Sequence, residues 1–455
     1  MIRLVLSVIG LSCLAGAAAA HTSEGSFVLL LPTGVYRAAG VAVVALTVVA
    51  VFALPHRLVR ALFGWRALRG LRTEAVSEIA SLTSFALMVF AIWIGITGSR
   101  DPLSNILPLS FYTLGWIGLV SLSGLLGDVW GWLNPWTGLY RIAGSPRPLL
   151  RLPDGLGLWP AVLMMVGFGA YILAGVAPED PDRLAWIVAV YWAAIMAGLV
   201  VFGPAFLASF ELGHAIMGSY GRLAALRIGA PGGIGGPGWR ILEGMPRAGG
   251  LFALTLLAVG SFDGLNETFW WLGRIGVNPL EFPGRSAVIF ETLAGLVASV
   301  LGLWAIFAAT VWLGLALAGR GGGFARAFDR LALGVLPIAL VYHAAHYLTA
   351  FLVNIQYTVA AISDPFNRGD DLLGIEPFHV TTGFFNNIDS VRAIWLTQAV
   401  LIVGGHVWSV LLSHRLALDL APEGQGAARL TLPLSVFMIA YTFLGLWLLA
   451  APRGA

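Results

Sequence analysis

Three of the eight histidines in this chain fall inside strongly apolar stretches. Tyr342-His343-Ala344-Ala345-His346-Tyr347 sets two imidazoles three residues apart, on neighbouring positions of one helix face. His406, in Gly404-Gly405-His406, lies in the next apolar stretch. At a helical rise of about 1.5 Å per residue, the pair sits about 18–22 Å from the Arg-rich end of its helix, and His406 about 12 Å from that of the next. If the two helices pack together, three imidazoles approach at similar depth. Three such nitrogens suit a Cu, Zn or Fe ion, or a proton relay. Two of them, one from each helix, suit axial ligation of haem. The plainer alternative gives each ring a hydrogen bond to a neighbouring helix or a water.

Ionisable groups at membrane depth are costly and are functional candidates for that reason. Asp263, in Ser261-Phe262-Asp263-Gly264, closes one apolar stretch, and Glu291 lies one turn into the next. Either is a candidate general base beside a metal that polarises substrate or activates water. Asn354, Gln356 and Gln398 line an outward-opening cavity, or else bond between helices. His414, about 12 Å along the helix from His406, is expected at the headgroups beside Arg415. Glu211 and His214 form a single E-x-x-H, whereas a carboxylate-bridged di-iron site needs two such motifs and two further Glu.

The elements that must hold these groups follow from composition. The 455 residues are 58% hydrophobic and 11% charged, against roughly 25% charged in an average soluble domain. Mean hydropathy is +0.86. This excludes an ordinary soluble enzyme and a disordered chain. It predicts an all-α polytopic membrane protein with the lipid bilayer as its main partner. All 26 basic residues are Arg, and a net charge of +3 spread along the chain does not suggest nucleic-acid binding.

Residues 1–20 read as a secretory signal peptide, or else as an uncleaved first helix: Arg3, an apolar run from Leu4 to Leu14, then Ala18-Ala19-Ala20. Residues 21–455 then form one transmembrane domain, and the single cysteine, Cys13, leaves with the signal. Cleavage after Ala20 makes His21 the N-terminal residue, whose α-amine and imidazole together suit Cu²⁺. His379 is the other histidine expected on that face, and so the available partner for His21.

Ten apolar stretches follow: 35–54, 77–97, 108–126, 157–175, 184–208, 249–262, 287–317, 331–363, 390–413 and 430–450. The sixth is short and is expected to run on into 263–271. The seventh and eighth are long, which implies tilt or kinks. Alternate loops carry 17 Arg against eight on the other side, where Glu179, Asp180, Asp182, Asp364, Asp370, Asp371, Glu376 and Asp389 collect. The positive-inside rule places the Arg-rich loops in the cytoplasm and both mature ends outside. Segment 229–238, rich in Gly, reads as a flexible cytoplasmic loop. Trp130, Trp132 and Trp136 read as interfacial anchors around an Asn134-Pro135 turn.

The chain resembles a group of bacterial membrane proteins known as fenitrothion hydrolases. The residues that carry this are Gly127-Asp128-Val129-Trp130, Asn134-Pro135-Trp136, Ser261-Phe262-Asp263-Gly264, His343-x-x-His346-Tyr347, Ser363-Asp364-Pro365-Phe366, Asp371-Leu372-Leu373-Gly374 and Gly405-His406-Val407. The resemblance implies a multi-pass protein of the bacterial cytoplasmic membrane that hydrolyses an organophosphate aryl ester. From the residues themselves, four readings stay open. They are a metal-dependent membrane hydrolase of phosphoesters, a copper- or haem-binding protein, a transporter or channel, and a subunit of a larger membrane complex.

Overall fold

The computed structural model describes residues 28, 30–68, 74–228, 232–281, 284–375, 378–421 and 425–453. The signal segment 1–20 and His21 lie outside the described residues. Eleven helices carry the fold: α1 (Thr33–Ala53), α2 (Glu74–Thr97), α3 (Ile106–Leu126), α4 (Trp159–Ala174), α5 (Pro181–Phe202), α6 (Gly249–Asn266), α7 (Ile289–Leu317), α8 (Leu336–His346), α9 (Leu348–Ser363), α10 (Ile388–Leu420) and α11 (Gly426–Ala450). Each of the ten apolar stretches is helical. Among the described residues, eight helices are long and apolar enough to cross a membrane alone. The segment Phe324–His346, which ends in α8, joins α9 at a bend of 56°. At 16 residues, α4 covers about 24 Å at a rise of 1.5 Å per residue, short of a full bilayer core.

The helix in the middle is α6. Over its membrane-crossing stretch 78% of the residues are buried, against 22–44% for the other seven. It packs on α4, α7 and α8, and the largest core cluster surrounds it with residues such as Phe252, Leu257, Leu296, Phe307 and Leu336. Its own residues, with four Gly or Ala from Gly249 to Val259, let neighbours approach closely. The central position of α6 is what puts Asp263 inside the protein rather than against lipid.

Two expectations are corrected. The sixth stretch does run on past 262, but only as far as Asn266. After Asn266 the helix stops, and Thr268 begins a separate short helix by accepting a hydrogen bond from Trp271 N (3.2 Å). The described part of segment 229–238 is not a loop. Gly232–Gly235 (β3) is the middle strand of a three-stranded antiparallel sheet, between β1 (Trp65–Leu68) and β2 (Leu226–Arg227). Its glycines answer to sterics. Trp65 and Trp239 stack at 4.8 Å, and a Cβ on Gly235 would stand 2.7 Å from both side chains.

Candidate functional site

The site forms where α6 meets the α8–α9 break. Gly260 and Gly264 lie one turn apart on α6 and receive Tyr342 of α8. A Cβ on Gly264 would stand 2.0 Å from the Tyr342 hydroxyl, so only glycine admits that ring. This G-x-x-x-G on the sixth helix was the legible signal for the contact. It seats α8 so that His346 reaches Asp263, between the two glycines.

His346 Nε2 lies 3.0 Å from Asp263 Oδ2, with both side chains nearly buried. Tyr347 donates its hydroxyl to the same oxygen at 2.5 Å. A carboxylate only accepts, so a neutral His346 must carry its proton on Nε2, which leaves Nδ1 as the basic nitrogen. Tyr347 is the break residue itself, with φ −92° and ψ 3°, outside the α-helical well. The backbone carbonyl of Ala345, at the same break, accepts the buried Gln398 amide of α10 at 2.8 Å.

His343 turns the other way. Its Nε2 bonds the Trp116 carbonyl at 2.8 Å, and the two rings meet edge to face at 4.7 Å. Trp116 lies in Leu109–Leu119, where α3 is wound as a π-helix, an irregularity found often at functional sites. Trp116, Asp263, Tyr342, His343, His346 and Tyr347 line a cavity with apolar residues of α4, α6 and the short helix Leu212–Gly221. Its room for water centres is about 20 Å³, enough for one molecule. The end of the chain is tied beside it. Phe269 N bonds the Pro452 carbonyl at 3.0 Å, Arg453 pairs with Thr268, and its guanidinium is in electrostatic range of Asp263.

The remaining sequence candidates lie elsewhere. His406 bonds its own helix through Nδ1 to Ile402 O (2.8 Å), and its buried Nε2 has no partner among the described residues. It faces Tyr441 of α11, which is bonded to Ser261 at 2.6 Å. Glu291 is exposed in the first turn of α7, and His379 is exposed in the chain between α9 and α10. Gln356 ties that chain down through both backbone groups of Thr381. Among the described residues no group of three or more His, Cys, Asp or Glu is placed to hold a metal ion.

Other polar motifs prove architectural. His414 is buried between helices, 3.4 Å from Thr431 Oγ1, rather than exposed beside Arg415. Trp136 is buried against Tyr191, so it is no interfacial anchor. Glu211 caps the helix Leu212–Gly221. One oxygen accepts Gly213 N and the Tyr191 hydroxyl, the other His214 N and Trp130 Nε1. Burial pushes the Glu211 carboxyl above its ordinary value, and the bonds from Trp130, Gly213 and His214 pull it back.

Sequence reasoning named Asp263 and His346 but gave them separate roles, and it did not single out Trp116 or Tyr342. No protein-family model matches this chain, no curated protein is similar to it, and no solved structure matches its fold.

Proposed function

We propose that this protein is a carrier of the bacterial cytoplasmic membrane that moves a proton together with a small molecule, with Asp263 and His346 bearing the proton. The observation that carries this reading is the 3.0 Å Asp263–His346 contact, made between an apolar helix of membrane-crossing length and a broken helix. An intramembrane carboxylate–imidazole pair is expensive and is a feature of proton pathways. Broken helices expose backbone groups and recur at the binding sites of secondary carriers. Tyr347 adds a second proton donor to the same carboxylate.

A second reading, hydrolysis of a phosphoester, has its own support. His346 is oriented by Asp263 so that Nδ1 is free to take a proton, and the adjoining cavity admits one water. A Cu or Zn ion, or haem, at His343, His346 or His406 is a separate proposal, tested by metal analysis and the optical spectrum of the purified chain.

The experiment uses the full chain in lipid vesicles. Infrared spectra recorded across pH should show a titrating carboxyl that vanishes in Asp263→Asn. Proton flux under an imposed membrane potential should fall at least tenfold in that variant. Identical spectra and flux in wild type and variant would overturn the carrier reading. Turnover of an aryl phosphotriester, abolished by His346→Gln, would decide for the hydrolase.

A further inference from the structure

The loop that leaves α7 forms a second recess, well away from Asp263. Trp312, Leu315, Ala316, Gly319, Arg320, Gly321, Gly322 and Phe324 enclose about 310 Å³ at the Arg-rich end of the helix. Trp312 and Phe324 are 64% and 41% exposed, and they continue the apolar outer surface of α7. One wall is therefore fit for hydrocarbon and the rim carries a guanidinium.

Among the described residues Arg320 and Arg326 enter no ion pair, whereas Arg330 is paired with Asp419. Arg326 stands in electrostatic range of Arg330, and the nearest carboxylate on that helix, Asp329, faces Arg247 instead.

The glycines leave the recess open. Gly319 and Gly323 have φ of +68° and +83°, so the turn itself calls for them. Gly321 and Gly322 have neither positive φ nor any atom within 4 Å of an added Cβ. Packing does not require glycine at either position. Bare backbone there leaves room for a headgroup to approach closely.

We propose that this recess binds an anionic phospholipid, its phosphate on Arg320 with Arg326 adding charge, and an acyl chain along Trp312. The bilayer supplies this occupant at the height where the recess opens, and basic pockets at helix ends are suited to such headgroups.

The test is native mass spectrometry of the detergent-solubilised full chain titrated with phosphatidylglycerol and, separately, phosphatidylcholine. Wild type should prefer phosphatidylglycerol. That preference should fall about fivefold in Arg320→Gln and about 25-fold in Arg320→Gln/Arg326→Gln, from about 1 kcal/mol per Arg. The exposed pair Arg57 and Arg60, on the same side, serves as control, and Arg57→Gln/Arg60→Gln should keep the preference. An unchanged preference in the Arg320/Arg326 variant, or an equal loss in the control, would overturn the proposal. So would displacement of the lipid by inorganic phosphate alone. Thermal unfolding of each variant, unchanged from wild type, separates lost binding from lost folding.

Discussion

Asp263 can be perturbed in two ways that separate its charge from its role as an acceptor. It takes two hydrogen bonds on one oxygen, from His346 at 3.0 Å and Tyr347 at 2.5 Å. Asn in its place keeps a carbonyl oxygen where Oδ2 stands, so both donors stay satisfied and only the charge is lost. Bonds to a charged acceptor contribute about 1.5–3 kcal/mol each and neutral ones about 0.5–1.5, so the substitution should cost about 1–3 kcal/mol. Asp263→Ala removes the acceptor outright and strands two buried donors at about 1–3 kcal/mol each. Donors inside a membrane find other partners in the unfolded chain, which favours the lower half of that range, about 2–4 kcal/mol. The assay is the half-life of the purified chain at fixed temperature in detergent, where unfolding is irreversible and a rate is the proper quantity. The order expected is wild type, then Asn, then Ala, with proton flux abolished in both variants. If Ala survives as long as Asn, Asp263 is not holding His346 and Tyr347, and the site as described is wrong.

Three further substitutions probe what surrounds the pair. Gly264→Ala drives a methyl to 2.0 Å from the Tyr342 hydroxyl; overpacking should cost about 1–3 kcal/mol and weaken the His346 contact, read as a shifted infrared carboxyl titration. Glu211→Gln puts an amide NH₂ against two donors whichever way it turns, so thermal stability should fall by about 2–4 kcal/mol while proton flux per folded molecule is kept. Gln398→Leu strips the Ala345 carbonyl of its side-chain donor; the expected loss is about 1 kcal/mol, with faster amide hydrogen exchange confined to residues around Tyr347.

The spans were legible because a membrane helix must satisfy its own backbone and present apolar side chains to lipid. That is why all ten stretches proved helical. The break at Tyr347 was not legible, since neither Gly nor Pro marks His346-Tyr347-Leu348, and the 33-residue length of that stretch was the one hint. The i, i+3 spacing of His343 and His346 put both on one side of a helix. It could not show that Trp116 and Asp263 stand on either flank to draw them apart. His406 misled in the same manner. Its depth suited a shared site, but helix rotation turns it toward Tyr441 on α11. Depth along a helix can be read from sequence, whereas azimuth depends on partners that are distant in the chain.

The break and the pair explain each other. Successive residues of a straight helix point about 100° apart, yet His346 and Tyr347 both reach Oδ2 of Asp263. Tyr347 leaves helical geometry at ψ 3°, and α9 departs at 56°. The bend is not left unsupported, because Gln398 bonds a carbonyl beside it and Phe351 N still bonds Tyr347 O at 2.8 Å. Straightening the helix would therefore have to separate Tyr347 from Asp263 or break the Gln398 bond. Protonating Asp263 weakens its claim on two donors at once. On the proposed carrier reading, proton arrival and helix geometry would be coupled through this single oxygen atom.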